Sequence, residues 1–103
     1  MTPEVKVQSA ITSFLKKEMK AGKPVFYEKR QAIGYQYHKG IPDIYCILNG
    51  YHLEIEVKRP GGSRSAMQET YERILKNAGA IYACVDSFEQ FKQLYDEYKE
   101  KTR

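Results

Sequence analysis

The sequence predicts an α/β domain in the order αβββαβα, with a mixed sheet flanked by helices. Three observations carry this. Apolar residues recur at helical spacing in three segments and in alternating or unbroken runs in four others. Asn49-Gly50, the dipeptide best suited to a two-residue type I′ turn, separates two of those runs. The last run follows a helical segment, so its strand can return parallel to the one before.

Each element can be justified in turn. Thr2-Pro3-Glu4 supplies a capping hydroxyl, a proline for the first turn and an early carboxylate; Val7, Ile11, Phe14, Leu15 and Met19 then line one face of a helix reaching about Lys20. Gly22 ends it, and Pro24 to Arg30 forms a first strand, followed by a polar, aromatic loop from Gly34 to Gly40. Asp43–Leu48 and Tyr51–Lys58 pair as an antiparallel hairpin about Asn49-Gly50. In the second of these strands Leu53, Ile55 and Val57 enter the core, while His52, Glu54, Glu56 and Lys58 project from the opposite face. Residues 59–64 form a loop, and Ser65 opens a helix with Met67, Tyr71, Ile74 and Leu75 on its inner side, ended by Gly79. Ala80–Val85 is a buried strand. A final helix starts at Asp86-Ser87, where Ser87 and Gln90 suit a capping box, and Phe88, Phe91, Leu94, Tyr95 and Tyr98 make its apolar face.

The 103 residues suit one domain, residues 1–103, with a single core. Net charge is +4 and the isoelectric point near 9.0. The basic excess is uneven: ten Lys/Arg against five acids lie between Lys16 and Arg64, whereas the last helix region carries Asp86, Glu89, Asp96, Glu97 and Glu100. A basic surface of this kind points to a polyanionic partner, most simply nucleic acid. Cys46 and Cys84 sit in apolar strand-like runs and are expected as buried small hydrophobes in a reducing compartment. Together with His38 and His52 they lack any usual zinc spacing. No apolar run approaches membrane-spanning length and no signal-peptide pattern opens the chain, so a cytoplasmic protein is expected.

The chemistry gathers at the hairpin. Gly40-Ile41-Pro42-Asp43 and Glu56-Val57-Lys58 converge across it, bringing two carboxylates to one site with the Lys58 ammonium on the same strand face. Such carboxylates repel unless a cation intervenes, and hard oxygen donors suit Mg²⁺ or Mn²⁺. Glu-x-Glu-x-Lys alone is also common on half-exposed strands; the order Pro-Asp, hairpin, Glu-x-Lys is what forces convergence. On the same face Glu54 is expected farther out, supporting the site or at the surface.

This order of motifs resembles the PD-(D/E)xK nuclease superfamily, whose core is restriction-endonuclease-like. More narrowly, the chain resembles the small stand-alone VRR-NUC (virus-type replication-repair nuclease) domains of phages over nearly its whole length. The resemblance rests on Glu4 in the first helix, Gly40-Ile41-Pro42-Asp43, Glu56-Val57-Lys58 and Gln68 early in the second helix. It implies a metal-dependent phosphodiesterase in which Asp43, Glu56 and the Val57 carbonyl hold Mg²⁺ or Mn²⁺, and Lys58 orients the attacking water and balances charge. Glu4 is then a further ligand, or else simply an acid favoured by the helix dipole. Gln68 is a site residue, or else the partner of Ser65 in a capping box. Lys29, Arg30, Lys39, Arg59 and Arg64 are candidate DNA contacts; Tyr35, Tyr37 and His38 either stack on DNA or form an ordinary surface loop. The Gly61-Gly62-Ser63-Arg64 loop either receives a phosphate or is a plain connector.

Members of this size look like homodimers that cleave four-way junctions, and the aromatic face of the last helix offers apolar surface for such an assembly unless it is ordinary core. The expectation is therefore a homodimeric endodeoxyribonuclease acting on branched DNA, of Holliday-junction-resolving type. The alternatives are a monomeric flap or nicking nuclease and a non-catalytic DNA-structure-binding module.

Overall fold

The structure, a computed structural model, describes residues 2–30 and 40–101. The loop residues Tyr35, Tyr37, His38 and Lys39 lie outside the described residues. The expected order is present: α1 (Pro3–Lys20), β1 (Val25–Lys29), β2 (Ile44–Leu48), β3 (Tyr51–Val57), α2 (Ala66–Asn77), β4 (Ile81–Val85) and α3 (Phe88–Lys99). The four strands form one mixed sheet in the order β1-β2-β3-β4, with β3 and β4 parallel and the other pairs antiparallel. This is the αβββαβ core with an additional C-terminal helix.

Local chemistry sets the boundaries. The Thr2 hydroxyl accepts from the Val5 amide at 3.2 Å, with Pro3 in the first turn. At the hairpin, Asn49 and Gly50 both take positive φ, 53° and 85°, as a type I′ turn requires, and this fixes the pairing of Leu48 with Tyr51 and Ile44 with Ile55. Ser65 and Gln68 form a full capping box on α2. On α3 the Ser87 hydroxyl accepts from the Gln90 amide, but the Gln90 side chain reaches Asp86 N instead of Ser87 N, closing the turn one residue earlier.

One face of the sheet carries the core. Ile44, Cys46, Leu48, Leu53, Ile55, Val57 and Val85 are buried against Ile11 and Leu15 of α1 and Phe91 and Tyr95 of α3. Each such burial is worth roughly 1.5–3 kcal/mol. Phe14 makes edge contacts with Tyr95 at 4.8 Å and Phe88 at 5.5 Å, and Tyr95 Oη donates to Glu18 Oε1 at 2.8 Å, which ties α3 to α1. Phe88, Leu94 and Tyr98 also pack on this core, so the aromatic face of α3 is ordinary core and not spare surface for a partner.

The opposite face differs from expectation. Arg64 lies over the Tyr82 ring at 5.4 Å and pairs with Glu72, which sets α2 over this side against β4. Yet α2 has no buried residue; Met67 and Ile74, expected on its inner side, are 45% and 54% exposed. Cys84, expected to be buried like Cys46, is exposed, because in β4 it points to this face and not to the core. Most consequentially, β3 is buried on both faces, so Glu54 and Glu56 are taken out of water. Among the described residues no helix is long and apolar enough to cross a membrane.

Candidate active site

Asp43 stands at the mouth of β2. Gly40, at φ +89°, lies so close to α2 that a Cβ there would meet the Met67 Cβ at 2.6 Å and the Gln68 amide nitrogen at 3.0 Å. Only glycine fits such an approach, and it seats the first turn of α2 beside the Gly40-Ile41-Pro42-Asp43 segment. Pro42 is fully buried. The Asp43 carboxylate accepts from the Val57 amide at 2.8 Å, across the hairpin. Extending the β2–β3 register by one rung beyond Ile44 and Ile55 sets Asp43 opposite Glu56.

Glu56 is 3% exposed, and its Oε1 is buried with no hydrogen-bond partner. Burial first, then the charge and hydrogen bond of Asp43, push its carboxyl up from 4.5 to about 8, against weaker opposing pulls from Lys58 and Arg64. Lys58 follows directly; its side chain is half-buried and its amide donates to Val85 O at 2.8 Å, continuing the ladder one residue past β3. Beyond it a cleft of about 180 Å³ is lined by Lys58, Arg59, Arg64, Cys84, Asp86 and Gln90.

The donor set suits a hard divalent cation. An orphaned carboxylate oxygen beside a second carboxylate is what an oxygen-seeking ion would satisfy, and Mg²⁺ is commonly held by one or two carboxylates, with water and substrate phosphate filling its remaining positions. Among the described residues no cluster of three or more His, Cys, Asp or Glu side chains occurs, so Glu4 does not form an acidic triad with Asp43 and Glu56. Glu4 is half-buried in the first turn of α1. Gln68 lies next to the site through the Gly40 contact, but its Oε1 accepts from the Ser65 amide at 2.8 Å, so its side chain serves as the cap.

The candidate DNA contacts separate. Lys29 and Arg59 are exposed, Arg64 is engaged by Glu72, and Lys39 lies outside the described residues. Arg30 is turned inward: its Nη1 donates to Glu54 Oε1 at 2.6 Å and to Pro42 O at 3.0 Å, and its Nη2 to Glu54 Oε2 at 3.1 Å. Glu54, fully buried, also holds His52 Nε2 at 2.6 Å. Sequence reasoning left Glu54 supporting the site or at the surface. The signal was present in the predicted topology: a strand flanked by β2 and β4 is central, and a carboxylate on a central strand must be given a counter-charge. Tyr82, whose buried hydroxyl lacks a partner and whose pKa is raised by burial and then by Glu56, is a further polar neighbour that the sequence did not flag.

No protein-family model matches the chain, and no curated protein matches it. A solved structure described as "VRR_NUC domain" is similar: 26% identical, with a TM-score of 0.68, covering 95% of this chain and 99% of that one.

Proposed function

Because this chain has the VRR-NUC fold, a nuclease fold, we propose that it is a metal-dependent endodeoxyribonuclease that hydrolyses phosphodiester bonds in branched DNA and resolves four-way junctions as a homodimer. The observation that supports this best is the buried, unpartnered Glu56 oxygen beside Asp43, with Lys58 next along the strand. Asp43, Glu56 and the Val57 carbonyl would hold Mg²⁺ or Mn²⁺. When bound, such an ion supplies Lewis-acid polarisation of the phosphate and a more acidic water.

The chain's own residues do the rest. The Val57 amide fixes the Asp43 carboxylate in place. Glu56 must give up its proton for the site to load, and the neighbouring Lys58 and Arg64 charges favour that ionised form. Lys58 is suited to orient the attacking water and to balance the negative charge that grows on the phosphate. Arg59 and Lys29, both exposed, would meet the DNA backbone, which favours recognition by shape over base sequence. One chain offers one such site, so paired cuts in a junction call for a second copy.

The test is cleavage of end-labelled four-way junction, flap and plain duplex DNA with Mg²⁺ or Mn²⁺. Paired symmetric cuts in the junction are expected, with Lys58→Ala slower by about 10²–10³-fold and Asp43→Asn inactive. A single cut per junction from a monomer would replace the resolving enzyme with a flap or nicking nuclease. Tight junction binding without cleavage by either ion would leave a DNA-structure-binding module.

A further inference from the structure

We infer that Arg30 is the positioning residue of Asp43, held in that role by the buried carboxylate of Glu54, and that it is not a DNA contact. The direction in which a side chain leaves the backbone is set by the two peptide groups that flank its Cα. For Asp43 both are held by one residue. The Arg30 amide donates to Asp43 O at 2.7 Å, fixing the peptide that follows, and Arg30 Nη1 donates to Pro42 O at 3.0 Å, fixing the peptide that precedes.

The guanidinium is itself anchored. Glu54 grips it with both oxygens, at 2.6 and 3.1 Å, and the Tyr45 ring lies 5.0 Å from its centre. A forked donor can serve Pro42 and Glu54 at once; a lysine ammonium has no such rigid fork. Glu54 lies on β3 two residues from Glu56, so the pair joins the strand that carries one carboxylate to the loop that carries the other. His52 Nε2, at 2.6 Å from Glu54 Oε2, closes the outer side of the network. The side chain of Arg30 is 25% exposed and that of Glu54 1%, a burial that a residue held for DNA would not need.

This inference rests on the reading of Asp43 and Glu56 as the metal pair. Its test is Mn²⁺ binding to the full chain without DNA, followed by electron paramagnetic resonance, alongside DNA binding in chelator. Arg30→Lys keeps the backbone hydrogen bond and a charge for Glu54 but gives up the fork. The double variant Arg30→Met/Glu54→Leu removes both charges together, a change that buried ion pairs often tolerate without loss of folding. Both are expected to fold, to bind junction DNA in chelator as the wild type does, and to bind Mn²⁺ about 10–100-fold more weakly. Lysine should fall between wild type and the double variant, and kcat should drop with KM unchanged. Unchanged Mn²⁺ affinity in a folded variant would overturn the inference, as would loss of chelator-insensitive DNA binding, which would make Arg30 a phosphate contact. Failure of the wild type itself to bind Mn²⁺ would overturn the metal-pair reading as well, and Asp43→Asn, expected to abolish binding, separates the two.

Discussion

Two buried carboxylates sit two residues apart on the same face of β3, and the protein treats them in opposite ways. Around Glu54 every demand is met: Arg30 donates to both oxygens and His52 Nε2 lies 2.6 Å from Oε2. Around Glu56 one oxygen has no partner, the nearest acid is Asp43, and the carboxyl is pushed up to about 8. Burial alone therefore does not mark a functional group. A buried carboxylate with its counter-charge built in is part of the scaffold, whereas one left short of donors is a candidate functional group.

The sharpest way to break this comparison is to make the same change at both positions. Glu54→Gln leaves the half-buried Arg30 guanidinium without its counter-charge and should destabilise by about 3–5 kcal/mol, read by chemical denaturation. Glu56→Gln removes a charge whose burial and Asp43 neighbour outweigh the pull of Lys58 and Arg64, and its amide can donate to Asp43; at pH 8 or above, without metal, it should stabilise by about 1–3 kcal/mol. Equal and destabilising effects would erase the distinction.

A second effect follows from pH. Glu56 binds its proton more tightly in the folded protein than in the unfolded chain, where its value is near 4.5, so metal-free stability should fall as pH rises from there to about 8. The slope approaches 1.4 kcal/mol per pH unit, flattening above the folded value, by the usual linkage of about 1.36 kcal/mol per unit. Glu18, held low chiefly by the Tyr95 hydroxyl, and Glu72, held low chiefly by Lys76, act only below the usual carboxylate range, where their contributions are lost as pH falls. Saturating Mn²⁺ should flatten the slope between 4.5 and 8, measured by urea titrations across pH.

A further substitution tests how the site is seated. Gly40→Ala forces a left-handed backbone on alanine and drives its Cβ into Met67, which should cost about 1–3 kcal/mol and slow cleavage by shifting the Asp43 segment from α2. An alanine variant with wild-type stability and rate would remove Gly40 from the account.

Much of this molecule was legible before its structure. Asn49-Gly50 dictated the turn, the turn dictated the register, and the register carried Asp43 to Glu56. Thr2, Ser65 and Ser87 marked helix starts because a hydroxyl there satisfies free amides whatever the tertiary context. What did not show was depth. Periodicity places Met67 and Ile74 on one side of α2 but not how far that side sinks, and it places Glu54 on the face of Glu56 without showing that it lies wholly out of water against Arg30. The Arg30–Glu54 pair spans 24 residues and joins an arginine from the end of β1 to a central strand, a long-range contact that no local pattern encodes. Gln68 was open to two readings, and its capping bonds are what the fold provides.

The most direct test of the central claim is the unfolding temperature at pH 8 of the wild type and Glu56→Gln, each with and without Mn²⁺. An ion bound between Asp43 and Glu56 should stabilise the wild type by about 2.7 kcal/mol at a hundredfold excess over Kd, a rise of several degrees, and should leave Glu56→Gln unmoved. Equal shifts in both proteins, or none in the wild type at saturating Mn²⁺, would contradict it.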